Sequence, residues 1–150
     1  MAQTTRIKER QAAQAQRIKQ AQAFMVPDNI DVAILGGGAA GLCAAITAAE
    51  ALGANKRVVV FEKALESGRT ILATGGGRCN FTNADLSFEN FSHSEFVQAV
   101  CRDKDTFLTD ILSFFRSSGL AWATEDEGRM YPLTRQASSI QSLLLRRAQK

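Results

Sequence analysis

In the stretch "ILGGGAAG", Gly36, Gly38 and Gly41 stand at the spacing G-x-G-x-x-G. Each answers a different demand of phosphate binding. Gly36 suits a tight turn out of an apolar run, and Gly38 lets the backbone come close to a pyrophosphate. Gly41 lets a following helix pack against the preceding strand. Ala39 and Ala40 would open that helix, whose free N–H groups and positive dipole end attract an anion. Glu62 follows Gly41 by 21 residues, near the spacing of about 20 for a carboxylate that accepts hydrogen bonds from both ribose hydroxyls. Lys63 stands beside it. A carboxylate there repels a 2′-phosphate. The pattern points to an adenine dinucleotide, and alone it does not choose between FAD and NAD.

Other residues invite chemical roles that weigh less. Cys79 follows Arg78, which would lower a thiol pKa, but no second cysteine lies within CxxC reach and no His/Asp pair stands beside it. A packing thiol is the better reading. His93, the sole histidine, lies between two serines of a helix-capping stretch and is read as a surface residue. Arg129 and Tyr131 could face a substrate, yet Glu125, Asp126 and Glu127 offer that arginine an ion pair in a turn. Trp122 is read as packing. No side chain stands out as a general acid or base.

The elements that must position these groups are legible around the first loop. "NIDVAILGGG" reads as a strand from about Ile30 to Leu35, followed by a helix over Ala39–Leu52 with Leu42, Ala45, Ile46 and Ala49 on one face. Gly53 ends that helix. "RVVVFEK" reads as a second buried strand, and the three elements make one parallel βαβ unit. Residues 64–91 have no lasting periodicity. Ser92 and Glu95 have the spacing of a capping box before a helix with Phe96, Val97 and Val100. A more apolar helix carries Phe107, Leu108, Ile111, Leu112, Phe114 and Phe115 as core, ended by Gly119. "LAWATEDEGRMYP" suggests a hairpin, and Thr134 could cap a last helix with Ile140, Leu143 and Leu144.

A chain of 150 residues with 45% hydrophobic content can bury a real core. No apolar run approaches the roughly 20 residues that span a bilayer, and the start lacks a signal-peptide layout. Three cysteines without CxxC spacing argue against a disulfide framework and against a metal site. A cytoplasmic protein is expected. The net charge is +3, but residues 1–23 hold Arg6, Lys8, Arg10, Arg17 and Lys19 against Glu9, so this segment carries +4 and the remainder −1. With no aromatic interleaving and no recognisable motif, residues 1–27 are expected to be a solvated helical or disordered extension, and nucleic acid is not expected as a partner.

The segment "GRTILATGGGRCNFTN" resembles the HI0933-like family of bacterial FAD-binding flavoproteins, also called BaiN-like or aminoacetone-oxidase-like. The likeness is carried by Gly68, Arg69, Thr74, Gly75, Gly76, Gly77, Arg78, Cys79, Asn80, Thr82 and Asn83. It continues at "FFRSSGL" and at "EDEGRMYPLTRQAS", where Tyr131 stands in place of the usual Phe. It covers about Asn29 to Lys150, and the basic extension has no counterpart in it. The resemblance implies an FAD-dependent oxidoreductase in which the first loop takes the pyrophosphate and Glu62 the adenosine ribose. The second glycine run would then pass near the ribityl chain and the flavin ring. Bare backbone can approach a flat ring closely. Asn80, Thr82 and Asn83 bring amide and hydroxyl groups that suit flavin N and O atoms, and Arg78 could stabilise negative charge on reduced flavin.

The reading is therefore α/β: a Rossmann-type FAD/NAD(P)-binding βαβ unit with its flavin-proximal loop over 28–84, then a helical and hairpin continuation over 85–150. FAD is the expected cofactor, with NAD(P)H a candidate electron donor and a small molecule the substrate. An NAD-dependent dehydrogenase domain and a tRNA-modifying type of flavoprotein are the alternatives. Two parallel strands cannot cover both faces of a doubly wound sheet, so a truncated or split protein is expected. A missing C-terminal part or a second chain would complete the site, and this chain alone would bind FAD weakly and turn over nothing.

Overall fold

The structure, a computed structural model, describes residues 2–22, 25–101 and 103–149. A helix, α1 (Ala2–Gln22), precedes the βαβ unit. Strand β1 (Val32–Leu35) leads into α2 (Ala39–Leu52), and β2 (Val58–Phe61) pairs with β1 in parallel, with Val32 opposite Val58 and Leu35 opposite Phe61. Along β1, Val32 and Ile34 are half-buried, whereas Ala33 and Leu35 are exposed. The alternation follows from a sheet with α2 on one face, since successive side chains point to opposite sides. Gly53, with φ +80°, ends α2 by donating its N–H to the Ala49 carbonyl at 3.0 Å.

Residues 64–91, aperiodic in sequence, are more ordered than that pattern suggests. Arg69–Gly77 wind as 3-10 turns, with a break at Thr74 where the backbone becomes extended. Beyond the break Gly75, Gly76 and Gly77 take φ of +54°, +64° and +86°, left-handed values that other residues adopt only at a cost. A two-residue strand, β3 (Thr82–Asn83), follows.

The expected helix pair is present as α3 (Ser94–Cys101) and α4 (Lys104–Ser117). Helix α3 begins two residues after Ser92. Gly119 at φ +86° closes α4, with the Leu120 N–H returning to the Phe115 carbonyl at 3.0 Å. Strands β4 (Trp122–Thr124) and β5 (Arg129–Pro132) form the expected antiparallel pair, and β5 also pairs with β3, giving the order β3-β5-β4. The last helix is α5 (Ala137–Ala148). Thr134 lies too far ahead to cap it directly: its hydroxyl accepts the Gln136 N–H at 3.4 Å and bonds Ser139 Oγ at 2.7 Å.

Helix α5 folds the continuation back onto the βαβ unit, packing on α2 and on the 3-10 turns. Leu42 and Ile46 of α2, Ile71, Cys79, Phe115, and Ala137, Ile140, Leu143 and Leu144 of α5 form one buried cluster. Phe81 meets Phe115 edge-on at 4.8 Å between ring centroids, and Trp122 packs edge-on against Phe81 at 6.1 Å. At the far end Arg147 bonds both carboxylate oxygens of Glu50 (2.8 and 3.0 Å) and the Phe114 carbonyl (2.8 Å). One guanidinium thus ties α5 to α2 and α4. Among the described residues no helix is long and apolar enough to cross a membrane.

Candidate functional site

The first glycine loop carries the strand β1 ladder into α2. Gly36, at φ +97°, donates its N–H to the Phe61 carbonyl at 2.8 Å before the chain turns. The first intrahelical bond runs from the Leu42 N–H to the Gly38 carbonyl at 2.9 Å. The N–H groups of Ala39, Ala40 and Gly41 precede it and therefore open the helix without intrahelical acceptors. A Cβ on Gly41 would strike the Gly36 carbonyl oxygen and lie 3.1 Å from its carbon. Glycine there is a packing necessity, set by how closely the helix crosses its own strand.

Gly38 is different. Its φ is −72°, open to any residue, and the nearest atom to a Cβ built on it is Thr70 Oγ1 at 3.8 Å. Neither backbone conformation nor packing inside the chain requires glycine at this position. What the missing side chain leaves is clear space directly above the N-terminus of α2. That space suits a phosphate group held by backbone N–H donors, so the residues present fit a dinucleotide pyrophosphate.

Glu62 stands at the end of β2 beside this loop. Its Oε2 accepts the Gly37 N–H at 2.6 Å and its Oε1 accepts the Ala64 N–H at 2.7 Å. These two bonds, Ala64 first and Gly37 second, hold the carboxyl below its ordinary value of 4.5, so it is ionised at neutral pH. A carboxylate has about four acceptor sites, which leaves capacity for a ribose hydroxyl. Because the folded pKa is depressed, the stabilising effect of the charged group is full above 4.5 and is lost only as pH falls through the lowered folded value. We expect dinucleotide affinity to be level from neutral pH down to 4.5 and to decline only as pH falls through the lowered folded value of Glu62. Glu62→Gln should weaken binding about fivefold to tenfold by replacing charge-assisted bonds with neutral ones. Equilibrium titrations across pH check both.

Three residues that the sequence pattern did not single out complete this pole. Gly37 gives its N–H to Glu62 and its carbonyl to the Gly68 N–H at 2.6 Å, and a Cβ on it would lie 2.8 Å from Ser67 Cβ. Gln141 of α5, 6% exposed, donates from Nε2 to the Ser67 carbonyl at 3.1 Å. Thr70 presents its hydroxyl beside Gly38. A polar residue sharing a helix face with Ala137 and Leu144 was the available signal for Gln141. Lys63 and Arg69 are exposed on either side of this region.

The second run forms a separate cluster against the hairpin. Gly75 is packed: a Cβ would meet Asn80 N at 2.8 Å and the Tyr131 ring at 3.2 Å. Gly76 and Gly77 face open space, with nothing within 4 Å of the first and only Leu72 O at 3.9 Å from the second. Thr74 Oγ1 donates to the Ile71 carbonyl at 2.6 Å. Arg78 pairs with Glu125 at 3.1 Å, donates to the Tyr131 hydroxyl at 3.3 Å and lies over the Tyr131 ring at 4.3 Å. Glu125 also faces Arg135 at 3.1 Å, an ion pair without hydrogen-bond geometry. In the orientation that satisfies its amide, Asn80 donates to the carbonyls of Thr82 (2.7 Å) and Met130 (3.0 Å). Asn83 donates to the Glu127 carbonyl at 2.8 Å, and Thr82 sits opposite Met130 in β3.

These contacts decide the side readings. Arg129 pairs with Glu127 at 3.2 Å in the acidic turn. Cys79 is buried, and desolvation pushes its thiol up, which suits packing and not nucleophilic attack. Among the described residues no cluster of three or more His, Cys, Asp or Glu could hold a metal ion.

A parallel strand pair joined by a helix, with a glycine loop at the helix N-terminus and a carboxylate at the second strand end, defines a Rossmann-type α/β unit. Residues 30–150 match the model of the HI0933-like protein Rossmann domain, and the chain belongs to that family. It is 40% identical over 115 residues to a 3-dehydro-bile acid delta(4,6)-reductase of Clostridium scindens, covering 75% of this chain and 27% of the relative. It is 31% identical over 106 residues to a ribosomal RNA dihydrouridine synthase of Escherichia coli, covering 69% and 25%. A protein of that name from Haemophilus influenzae is 31% identical over 100 residues, covering 65% and 24%. The chain spans about a quarter of the length of these curated relatives.

Proposed function

We propose that this chain forms the dinucleotide-holding portion of an FAD-dependent oxidoreductase. The observation that carries the reading is the clear space over Gly38 at the N-terminus of α2, beside the anchored carboxylate of Glu62. In it the N–H groups of Ala39, Ala40 and Gly41 receive the pyrophosphate, and Glu62 accepts hydrogen bonds from the adenosine ribose. The open backbone of Gly76 and Gly77 borders the flavin ring, and Arg78, held by Glu125 and Tyr131, brings positive charge to that side. When bound, FAD supplies the hydride or electron transfer. The protein's part is to orient it and to place charge around it. The relatives' names, a delta(4,6)-reductase and a dihydrouridine synthase, both describe hydrogen added to an unsaturated bond. Reduction of a carbon–carbon double bond in a small molecule, with NAD(P)H as a candidate donor, is the reaction this supports. The rest of the site comes from a further part of the protein or a second chain.

A second reading, RNA as the substrate, is favoured by the two relatives named for ribosomal RNA. It keeps the same flavin chemistry.

Absorbance tests the cofactor. Mixing the chain with FAD should shift the flavin bands between roughly 350 and 500 nm, and ADP should reverse the shift by competing for the first loop. A chain that binds NAD⁺ but leaves the flavin bands unmoved would be an NAD-dependent dehydrogenase domain instead.

A further inference from the structure

We propose that α1 is a docking arm for RNA. The sequence suggested a solvated extension, but the structure adds an ordered geometry to its charge. Ala2–Gln22 is one continuous helix, and every side chain described in it is exposed. At ~100° per residue, Arg6, Arg10 and Arg17 fall within about 40° of one another around the axis. They span roughly 16 Å along it at 1.5 Å per residue. Lys8 and Lys19 fall together on the opposite side, and Glu9 is the single acid.

Among the described side chains of this helix none is buried against the fold. A helix polar on all sides gains nothing by burying a face, and arginines one turn apart repel each other. A polyanion laid along that side relieves the repulsion. Arginine suits phosphate in particular, because its planar fork can bond two oxygens of one group. The basicity is also local: the rest of the chain carries −1, and α1 lies outside the residues 30–150 that match the family.

An anionic membrane is the competing polyanion, and the composition disfavours it. Interfacial helices bury an apolar face of bulky residues, whereas α1 has only Ile7 and Ile18 among alanines, glutamines, threonines and charges. RNA is chosen over DNA on the second reading given above. The proposal does not depend on the flavin, so the two can fail separately.

The test uses the full 150-residue chain and a fluorescein-labelled, uridine-rich single-stranded RNA of about 20 nucleotides, followed by polarisation at about 50 and 200 mM salt. The triple variant Arg6→Gln/Arg10→Gln/Arg17→Gln is compared with wild type, and a urea melt confirms that the rest of the fold is intact. We expect the variant to bind about tenfold or more weakly at low salt. Its slope of log affinity against log salt should be shallower by about 2, given ~0.7 per phosphate contact on a single strand. Removal of residues 1–22 should abolish the remaining salt-sensitive binding. The proposal is overturned if the triple variant binds as wild type does, if a DNA oligonucleotide of the same sequence binds more tightly than the RNA, or if the chain binds phosphatidylserine vesicles and not RNA.

Discussion

Gly41→Ala should destabilise the protein by about 2 kcal/mol, whereas Gly38→Ala should cost less than about 1 kcal/mol, although both remove a glycine from one loop. The difference lies in what each new methyl group meets. At Gly41 it is driven into the Gly36 carbonyl, and backbone in the tight loop cannot swing aside as a flexible side chain would. Overpacking of this kind costs about 1–3 kcal/mol, and the better helix propensity of alanine returns only about 1. At Gly38 the methyl enters clear space 3.8 Å from Thr70 Oγ1 with an ordinary φ of −72°. The small cost there is that of alanine as a poor helix cap. Both variants should lose dinucleotide affinity by about tenfold or more, one by moving the helix N-terminus and the other by occupying the phosphate position. Urea melts paired with FAD titrations separate the two effects. Equal destabilisation by both would mean that the loop's glycines serve packing alone.

Gln141→Met is the second large effect expected. Methionine keeps the length and the unbranched shape, so little packing changes, but the bond to the Ser67 carbonyl disappears. Leaving a partly buried carbonyl without its donor costs about 1–3 kcal/mol. The loss should reach the nucleotide as well. Ser67 and Gly68 brace Gly37, and Gly37 in turn holds Glu62. We expect FAD affinity about fivefold weaker, with the unfolding midpoint lowered in parallel. A variant as stable as wild type would show that the amide contributes nothing.

The βαβ unit was legible because its punctuation is local. Glycines at 36, 38 and 53 bracket α2, and the range Ala39–Leu52 expected from the pattern is the range observed. The hairpin and the Phe-rich helix were legible for similar reasons, one from its turn residues and the other from its apolar repeat. The 3-10 turns at Arg69–Gly77 were not, since left-handed glycines leave no apolar period to read. Gly37 and Gln141 escaped notice because their reasons are distant in sequence: one packs on Ser67, and the other reaches back to the same residue from α5. Thr134 was displaced as a cap by the left-handed turn at Arg135, where φ is +53°. Arg78 looked available for a cofactor in sequence, and only the folded chain brings Glu125 and Tyr131 to it.

The central claim is that the first glycine loop holds the FAD pyrophosphate. Titration of FAD into the 150-residue chain and into Gly38→Ala, followed by flavin fluorescence, tests it most directly. The expected result is weak, saturable binding in the micromolar range or above for wild type, and a shift of tenfold or more for a variant whose unfolding curve is almost unchanged. FAD binding that is equal in both proteins, or absent from a folded wild-type chain, would contradict it.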